Sequence, residues 1–168
     1  MAGPQRPTGI RLPGWSNTTR ISVNGAAIEL APEAGYQYLT VQDGDVIVMQ
    51  LDDSVRTVYA SGKVPQLTGK VALGRGPLVY CFEGVDNDGD VLSLALKRGG
   101  SVIPSAFKAD LLSGVVTLTA EAIRRTDDGD LYSTTPPAEE ACTATAIPYY
   151  AWANRGENQM RVWMDETR

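Results

Sequence analysis

The chain has 168 residues, of which 43% are hydrophobic and 21% are charged, and its formal net charge is −5. This length and composition fit one folded domain, or at most two very small ones, and argue against disorder. The acidic balance argues against a nucleic-acid partner, because phosphate binding requires a basic surface. No apolar run is long enough to span a bilayer. We therefore expect a soluble globular protein with no nucleic-acid or membrane partner.

The start of the chain does not have the pattern of a signal peptide. Residues 1–7 lack the charged-then-apolar layout of a signal peptide. We interpret them as a linker or a cut point, residues 8–164 as a single β-sandwich domain, and residues 165–168 as a tail. A boundary near Gly62 is the alternative. The compartment of the protein stays open.

Short apolar or β-branched runs, separated by turn residues, recur along the whole chain. Asn24-Gly25 predicts a tight hairpin, because both residues tolerate positive φ. Residues 46–51 are apolar at successive positions and predict a central strand that is covered on both faces. A polar loop is expected over 125–139, and helix is a weak alternative at 109–112 and 120–125. The expected strands cover 8–12, 18–23, 26–30, 36–41, 46–51, 54–60, 70–73, 78–83, 91–97, 102–108, 114–124, 141–148 and 159–164.

About a dozen strands at near-regular spacing predict an all-β fold, a two-sheet antiparallel β-sandwich of jelly-roll type. We expect the last two strands to form a hairpin that seals the sandwich. This end of the chain is rich in aromatic residues, which usually anchor a core or an interface but can also stack on sugars. The candidate interface or sugar-stacking residues are Tyr149, Tyr150, Trp152, Asn154, Arg155 and Trp163.

The sequence predicts no metal, cofactor or catalytic residue. Residues 86–90 resemble a calcium loop, but Val91 stands where glycine is needed and Lys97 replaces the twelfth-position Glu. A solvated hairpin turn is the better interpretation, for residues 127–130 as well. Two Cys and no His cannot build the usual zinc site, and a Ser nucleophile would lack its base. A pair of catalytic carboxylates is not excluded by counting.

The two cysteines, Cys81 and Cys142, are compatible with one disulfide or with two free thiols. Cys81 lies within the apolar run 78–82, where a buried and inert thiol is the commoner outcome.

Several ordered blocks of the sequence resemble the C-terminal β-sandwich region of the β-L-arabinofuranosidase family, glycoside hydrolase family 127. The matching blocks are Ile10–Trp15 with Val23–Gly25, Gly35-Tyr36 with Asp43–Val46, Gly69–Cys81, and Ile147–Gly156 with Met160–Trp163. The resemblance implies that activity resides in an N-terminal α/α barrel, where a cysteine nucleophile lies near zinc. None of that barrel is in this chain, and Cys81 matches the sandwich motif rather than the nucleophile.

The leading hypothesis is accordingly a non-catalytic accessory β-sandwich of a β-L-arabinofuranosidase-like hydrolase, which packs on the missing catalytic barrel or on a second copy of itself. Two alternatives remain open. The first is a carbohydrate-binding module that uses Trp and Tyr stacking, and the second is an independent glycoside hydrolase.

Overall fold

The computed structural model describes residues 4–126 and 129–167, and the chain divides into two compact units at Ser54 and Val55. The described residues form fourteen strands and three single-turn 3₁₀ helices, without an α-helix. The predicted all-β class is therefore confirmed, and the helical alternatives at 109–112 and 120–125 are wrong. Among the described residues, no helix has the length and apolarity to cross a membrane. One domain over 8–164 stays a prediction.

The first unit contains two small antiparallel sheets. Strand β1 (Arg6–Arg11) pairs with β4 (Tyr36–Val41), so pairing begins two residues before the expected domain start. In the other sheet β2 (Arg20–Val23) lies between β3 (Ala26–Ile28) and β5 (Ile47–Gln50). The predicted hairpin at Asn24-Gly25 is confirmed, with φ of 50° and 82° at its two central residues.

The prediction that residues 46–51 form a central strand is wrong. Among the described strands β5 pairs with β2 alone, which makes it an edge strand. Val48 is 48% exposed and Met49 is 37% exposed. An apolar run of this length predicts a strand, but it cannot show whether neighbouring elements cover both of its faces.

The second unit is built on one continuous sheet. Its strands are β6 (Val55–Tyr59), β7 (Lys70–Arg75), β8 (Leu78–Glu83), β9 (Leu94–Leu96), β10 (Val102–Pro104), β11 (Leu118–Thr126), β12 (Ala138–Pro148), β13 (Met160–Arg161) and β14 (Met164–Glu166). They follow the order β13-β8-β12-β11-β9-β14-β7-β6, with β10 beside β11. Because β7 also pairs with β8, the ladder of strands from β8 to β7 closes on itself. All pairs are antiparallel except β14 with β9. The packed antiparallel sheet agrees with the predicted sandwich, and jelly-roll connectivity stays a prediction.

Strands β8 and β12 are covered on both faces at their C-terminal ends. Successive side chains of a strand point to opposite faces, and here Tyr80 and Phe82 enter one apolar cluster while Cys81 enters another. We call the first cluster the main core and the second, which also holds Ile147 and Ala151, the second core. The apolar run 78–83 therefore marks a central strand, as its composition indicates.

The end of the chain does not form the expected hairpin. Both β12 and β13 pair with β8, which lies between them. The single strand expected over 159–164 is two short ones, separated by a bend at Val162 and Trp163. A sequence pattern identifies a strand but not its neighbour, because pairing depends on contacts that are distant along the chain.

Strand β14 closes the ladder between β7 and β9. Its Met164 is fully buried in the main core. Asp165 forms an ion pair with Lys70, and Glu166 accepts hydrogen bonds from the Tyr59 hydroxyl and from Arg98. The strand thus includes two residues that the sequence had assigned to a tail.

The carboxyl of Asp165 makes the stability of this closure depend on pH. Burial raises its pKa, but the hydrogen bond and charge of Lys70, with the charge of Arg161, outweigh burial and hold the pKa below its usual value. A carboxyl with a lowered pKa in the folded state stabilises the protein above its unfolded pKa of about 4, and this contribution is lost as the pH falls further.

We therefore expect Asp165→Asn to lower the free energy of unfolding at pH 7, and the gap from the parent protein to close as the pH falls below about 4. Urea titrations at several pH values measure this gap. Asp110→Asn is the matched control, since Asp110 is exposed. A gap that does not change with pH would contradict the assignment.

Candidate functional site

Three of the candidate aromatic residues lie together on the loop that leaves β12, which we call the aromatic loop (residues 149–155). Pro148 ends the strand and Tyr149–Ala151 form a 3₁₀ turn. Ala151 is buried in the second core and fixes the turn to the sheet. The rings of Tyr149 and Trp152 stack with centroids 6.1 Å apart and planes at 24°.

These rings are exposed rather than buried. Tyr149 is 43% exposed, Tyr150 is 63% exposed and Trp152 is 38% exposed. Such large rings usually lose most of their accessible surface on folding, so a group of three that stays exposed marks a candidate contact surface. Trp163 does not belong to this group. It lies outside the aromatic loop, half-buried in the bend between β13 and β14.

Arg155 anchors the aromatic loop to the sheet. Its Nη1 donates to Asp86 Oδ1 at 2.8 Å, and its Nη2 donates to both Glu83 and Asp86. Hydrogen bonds from Arg155 to Asp86 raise the pKa of the guanidinium, burial opposes them, and the bond to Glu83 adds to the increase. Arg155 is therefore paired with two carboxylates of its own chain, and 17% of its side chain is exposed.

Glu83 lies at the centre of this arrangement. It is the last residue of β8, its side chain is fully buried, and its Oε1 accepts a hydrogen bond from the backbone N–H of Ala153 at 3.1 Å. One buried carboxylate thus holds both the guanidinium and the backbone of the aromatic loop. Asn154 completes the loop, because its Nδ2 donates to the carbonyl oxygens of Ala151 at 3.0 Å and Trp152 at 3.2 Å.

The acidic stretch 86–90 is not the solvated hairpin turn that its composition predicts. Asn87 is 3% exposed, and its Nδ2 donates to the carbonyl oxygens of Glu83 and Thr145, which ties the stretch to β12. Arg124 donates to the carbonyl oxygens of Asn87 and Asp90. Within 4–126 and 129–167, no cluster of three His, Cys, Asp or Glu could hold a metal ion. The similar stretch 127–130 begins with two residues that lie outside the described residues.

A second loop beside the aromatic loop was not identified from the sequence. Leu112, Ser113 and Gly114 have φ of 50°, 64° and 107° in succession. A left-handed conformation costs a residue with a side chain about 1–2 kcal/mol. Leu112 packs against the second core and, with Ser113, Tyr150, Ala151 and Asn154, lines a shallow cavity of about 400 Å³. Only Gly114 signals this turn in the sequence, and the phenyl ring of Phe107 covers it.

Both cysteines are free. Cys81 pairs with Ile147 across the sheet, and Cys142 lies five residues earlier on β12. At about 3.4 Å per residue this separates them by about 17 Å, whereas the Cα atoms of a disulfide lie within about 7 Å. Burial, and to a smaller extent the charge of Glu83, raise the pKa of the Cys81 thiol to about 12. The free, buried thiol predicted for Cys81 is confirmed.

We expect the removal of Arg155 to destabilise the protein strongly, since Glu83 would keep a buried and unpaired charge. Breaking a buried pair in this way costs about 3–5 kcal/mol. Arg155→Ala should lower the free energy of unfolding by an amount in that range, measured by urea denaturation. Arg125→Ala is the matched control, because Arg125 pairs with Glu139 at the surface and exposed pairs contribute about 0–1 kcal/mol. Equal losses in the two variants would contradict the anchoring role.

We expect the two thiols to differ in reactivity. Iodoacetamide reacts with the thiolate, so at pH 8 the native protein should be alkylated at the half-buried Cys142 and not at Cys81. Peptide mass spectrometry of native and urea-unfolded samples locates the label. Labelling of Cys81 in the native protein at the rate of the unfolded one would contradict its burial.

Comparison with known proteins agrees with this architecture. The profile of the glycoside hydrolase family 127 C-terminal domain matches residues 55–165, a range that begins where the second unit begins. A non-reducing end β-L-arabinofuranosidase from Bifidobacterium longum subsp. longum is 44% identical over 165 residues. That match covers 92% of this chain and 25% of the relative, so the chain spans about a quarter of the length of the curated relative it matches.

Solved structures extend the likeness to both units. A GH127 β-L-arabinofuranosidase from Geobacillus stearothermophilus T6 is 36% identical with a TM-score of 0.91, and the match covers 99% of this chain and 27% of that one. A GH127 β-arabinofuranosidase is 30% identical with a TM-score of 0.87, covering 99% of this chain and 29% of that one. The chain belongs to glycoside hydrolase family 127, where it corresponds to the C-terminal domain of the family's arabinofuranosidases.

Proposed function

We propose that this chain is a non-catalytic accessory β-sandwich of a β-L-arabinofuranosidase-like glycoside hydrolase, and that the aromatic loop packs on the catalytic domain. The observation that carries the proposal is the exposure of Tyr149, Tyr150 and Trp152 on a loop that buried groups hold in place. The family match and the much greater length of the relatives support a catalytic domain as the partner.

The aromatic loop has the properties of a pre-organised contact surface. Its backbone is bonded to Glu83 through Ala153, and its charged residue is paired inside the protein. Binding therefore does not have to order the loop, which reduces the entropic cost of association. Aromatic side chains on such a surface supply large contact areas and are enriched among residues that dominate binding energy.

Three acidic side chains of the second unit are held in ion pairs within the chain, which supports a structural role for them. Glu83 and Asp86 are both paired with Arg155, and Glu166 is paired with Arg98. A glycosidase needs two carboxyls that flank a bond at a defined separation, whereas these carboxylates converge on guanidinium groups. This supports a role in which the chain stabilises or shapes a catalytic domain.

A chimera tests the proposal. This chain replaces the matching segment of the Bifidobacterium longum relative, and release of the aryl group from an aryl β-L-arabinofuranoside is measured together with thermal unfolding. We expect the chimera to be active and this chain alone to be inactive. The double variant Tyr150→Ala/Trp152→Ala should weaken the contact by about 2 kcal/mol or more, as loss of central interface aromatics does, and lower the unfolding temperature of the chimera.

Tyr132→Ala is the matched control, because Tyr132 is 94% exposed and lies in another loop. If the chimera with the double variant unfolds at the same temperature as the Tyr132→Ala chimera, packing through the aromatic loop is refuted. Turnover by this chain alone would refute the accessory role. Self-association of the isolated chain that the double variant abolishes would assign the same surface to a second copy.

A further inference from the structure

We propose that the second unit has a separate binding site for a single neutral sugar ring, in the cavity between the edge strands β6 and β10. This cavity, which we call the edge pocket, has a volume of about 150 Å³. Its lining includes Thr57, Tyr59, Val71, Lys97, Glu121 and Glu166.

The edge pocket has an apolar floor and a polar rim. The floor consists of main-core residues, among them Val71, Leu73 and Ala120. The rim carries hydrogen-bonding groups of Tyr59, Lys97, Glu121 and Glu166. A few polar groups around an apolar cavity are the usual composition of a small-molecule site. A sugar ring fits this division, because its C–H face is apolar and its edge carries hydroxyls.

The charges of the rim are balanced, which favours a neutral ligand. Of the rim residues, Lys97 has its Nζ 4.0 Å from Glu121 Oε2, and Glu166 has its Oε2 2.7 Å from Nη2 of Arg98, which lies outside the lining of the pocket. Two cations thus face two carboxylates, so neither an anion nor a cation gains a net attraction. Ionised acceptors and donors form stronger hydrogen bonds than neutral ones, and hydroxyl groups can use both kinds.

Tyr59 is positioned to face a ligand. On β6 it lies on the same side as Val55, which packs against the main core, and it is 56% exposed at the end of the strand. Its hydroxyl donates to Glu166 Oε1 at 2.7 Å. The side chain of Glu166 is only 4% exposed, so the tyrosine is bonded to a fixed group. An aromatic ring held in this way offers a rigid surface for the C–H face of a sugar.

The volume limits the ligand to one ring. The volume of the cavity equals that of about five water molecules in the liquid, at about 30 Å³ each. It is smaller than the range of about 300–1,000 Å³ typical of sites for drug-sized ligands. A monosaccharide, or the terminal unit of a longer chain, is therefore the ligand class. The site is distinct from the aromatic loop, so it stands or falls independently of the proposed docking.

Titration of the isotope-labelled chain, followed through its amide resonances, tests the proposal. The probes are L-arabinose, D-xylose and D-glucose up to 100 mM, with cyclohexanol as an apolar ring without the hydroxyl edge. We expect at least one sugar to shift the amides of Gly99, Gly100, Ser101 and Glu166 in a saturable way, and cyclohexanol to bind at least about 10-fold more weakly, which corresponds to about 1.4 kcal/mol of lost hydrogen bonding.

Two variants of the same strand locate the site. Thr57→Phe fills the cavity from an exposed position and should weaken binding at least 10-fold, whereas Val58→Phe, on the opposite face of β6, should change it less than twofold. Three results would overturn the proposal: sugar binding that Thr57→Phe leaves unchanged, cyclohexanol binding as tight as sugar binding, or no saturable shift with any sugar. Shifts confined to Tyr149, Tyr150 and Trp152 would overturn it too and would assign sugar stacking to the aromatic loop.

Discussion

The buried carboxylate of Glu83 is the constraint on which the position of the aromatic loop depends. A charge without contact to water is tolerated only when it is paired and hydrogen-bonded. Arg155 and the backbone of Ala153 supply those bonds, and both belong to the aromatic loop. The loop is therefore fixed by an electrostatic requirement of the sheet, and the rings of Tyr149 and Trp152 are held at the surface as a consequence.

The same central strand connects this charge to the packing of the second unit. Strand β8 places Tyr80 and Phe82 in the main core and Cys81 in the second core, and ends at Glu83. The second core also contains Ala151 of the aromatic loop and contacts Leu112 of the neighbouring turn. One strand thus organises two apolar clusters and the ion pair, so a substitution in β8 would affect the position of the aromatic loop as well as stability.

Much of the fold follows from local sequence patterns, and the failures have a common physical origin. The hairpin at Asn24-Gly25 and the strand Leu78–Glu83 were predictable because their signals are local. The exposure of β5, the partner of β13 and the burial of Asn87 depend on residues distant in sequence. The aromatic residues of the site were identifiable by type. The sequence does not show that Arg155 is paired within the protein or that Leu112 lies beside the same loop, because both contacts depend on the folded structure.

Strand β14 has a consequence for how the second unit forms during synthesis. It pairs with β7, more than 90 residues earlier in the chain, and the ladder of strands cannot close before Met164 has been made. Contacts of such long sequence separation slow folding, since loop-closure entropy is lost before they form. Until residue 164 has left the ribosome, the edges of β7 and β9 that pair with β14 stay unpaired. Chaperones protect such edges, and neighbouring nascent chains can pair with them.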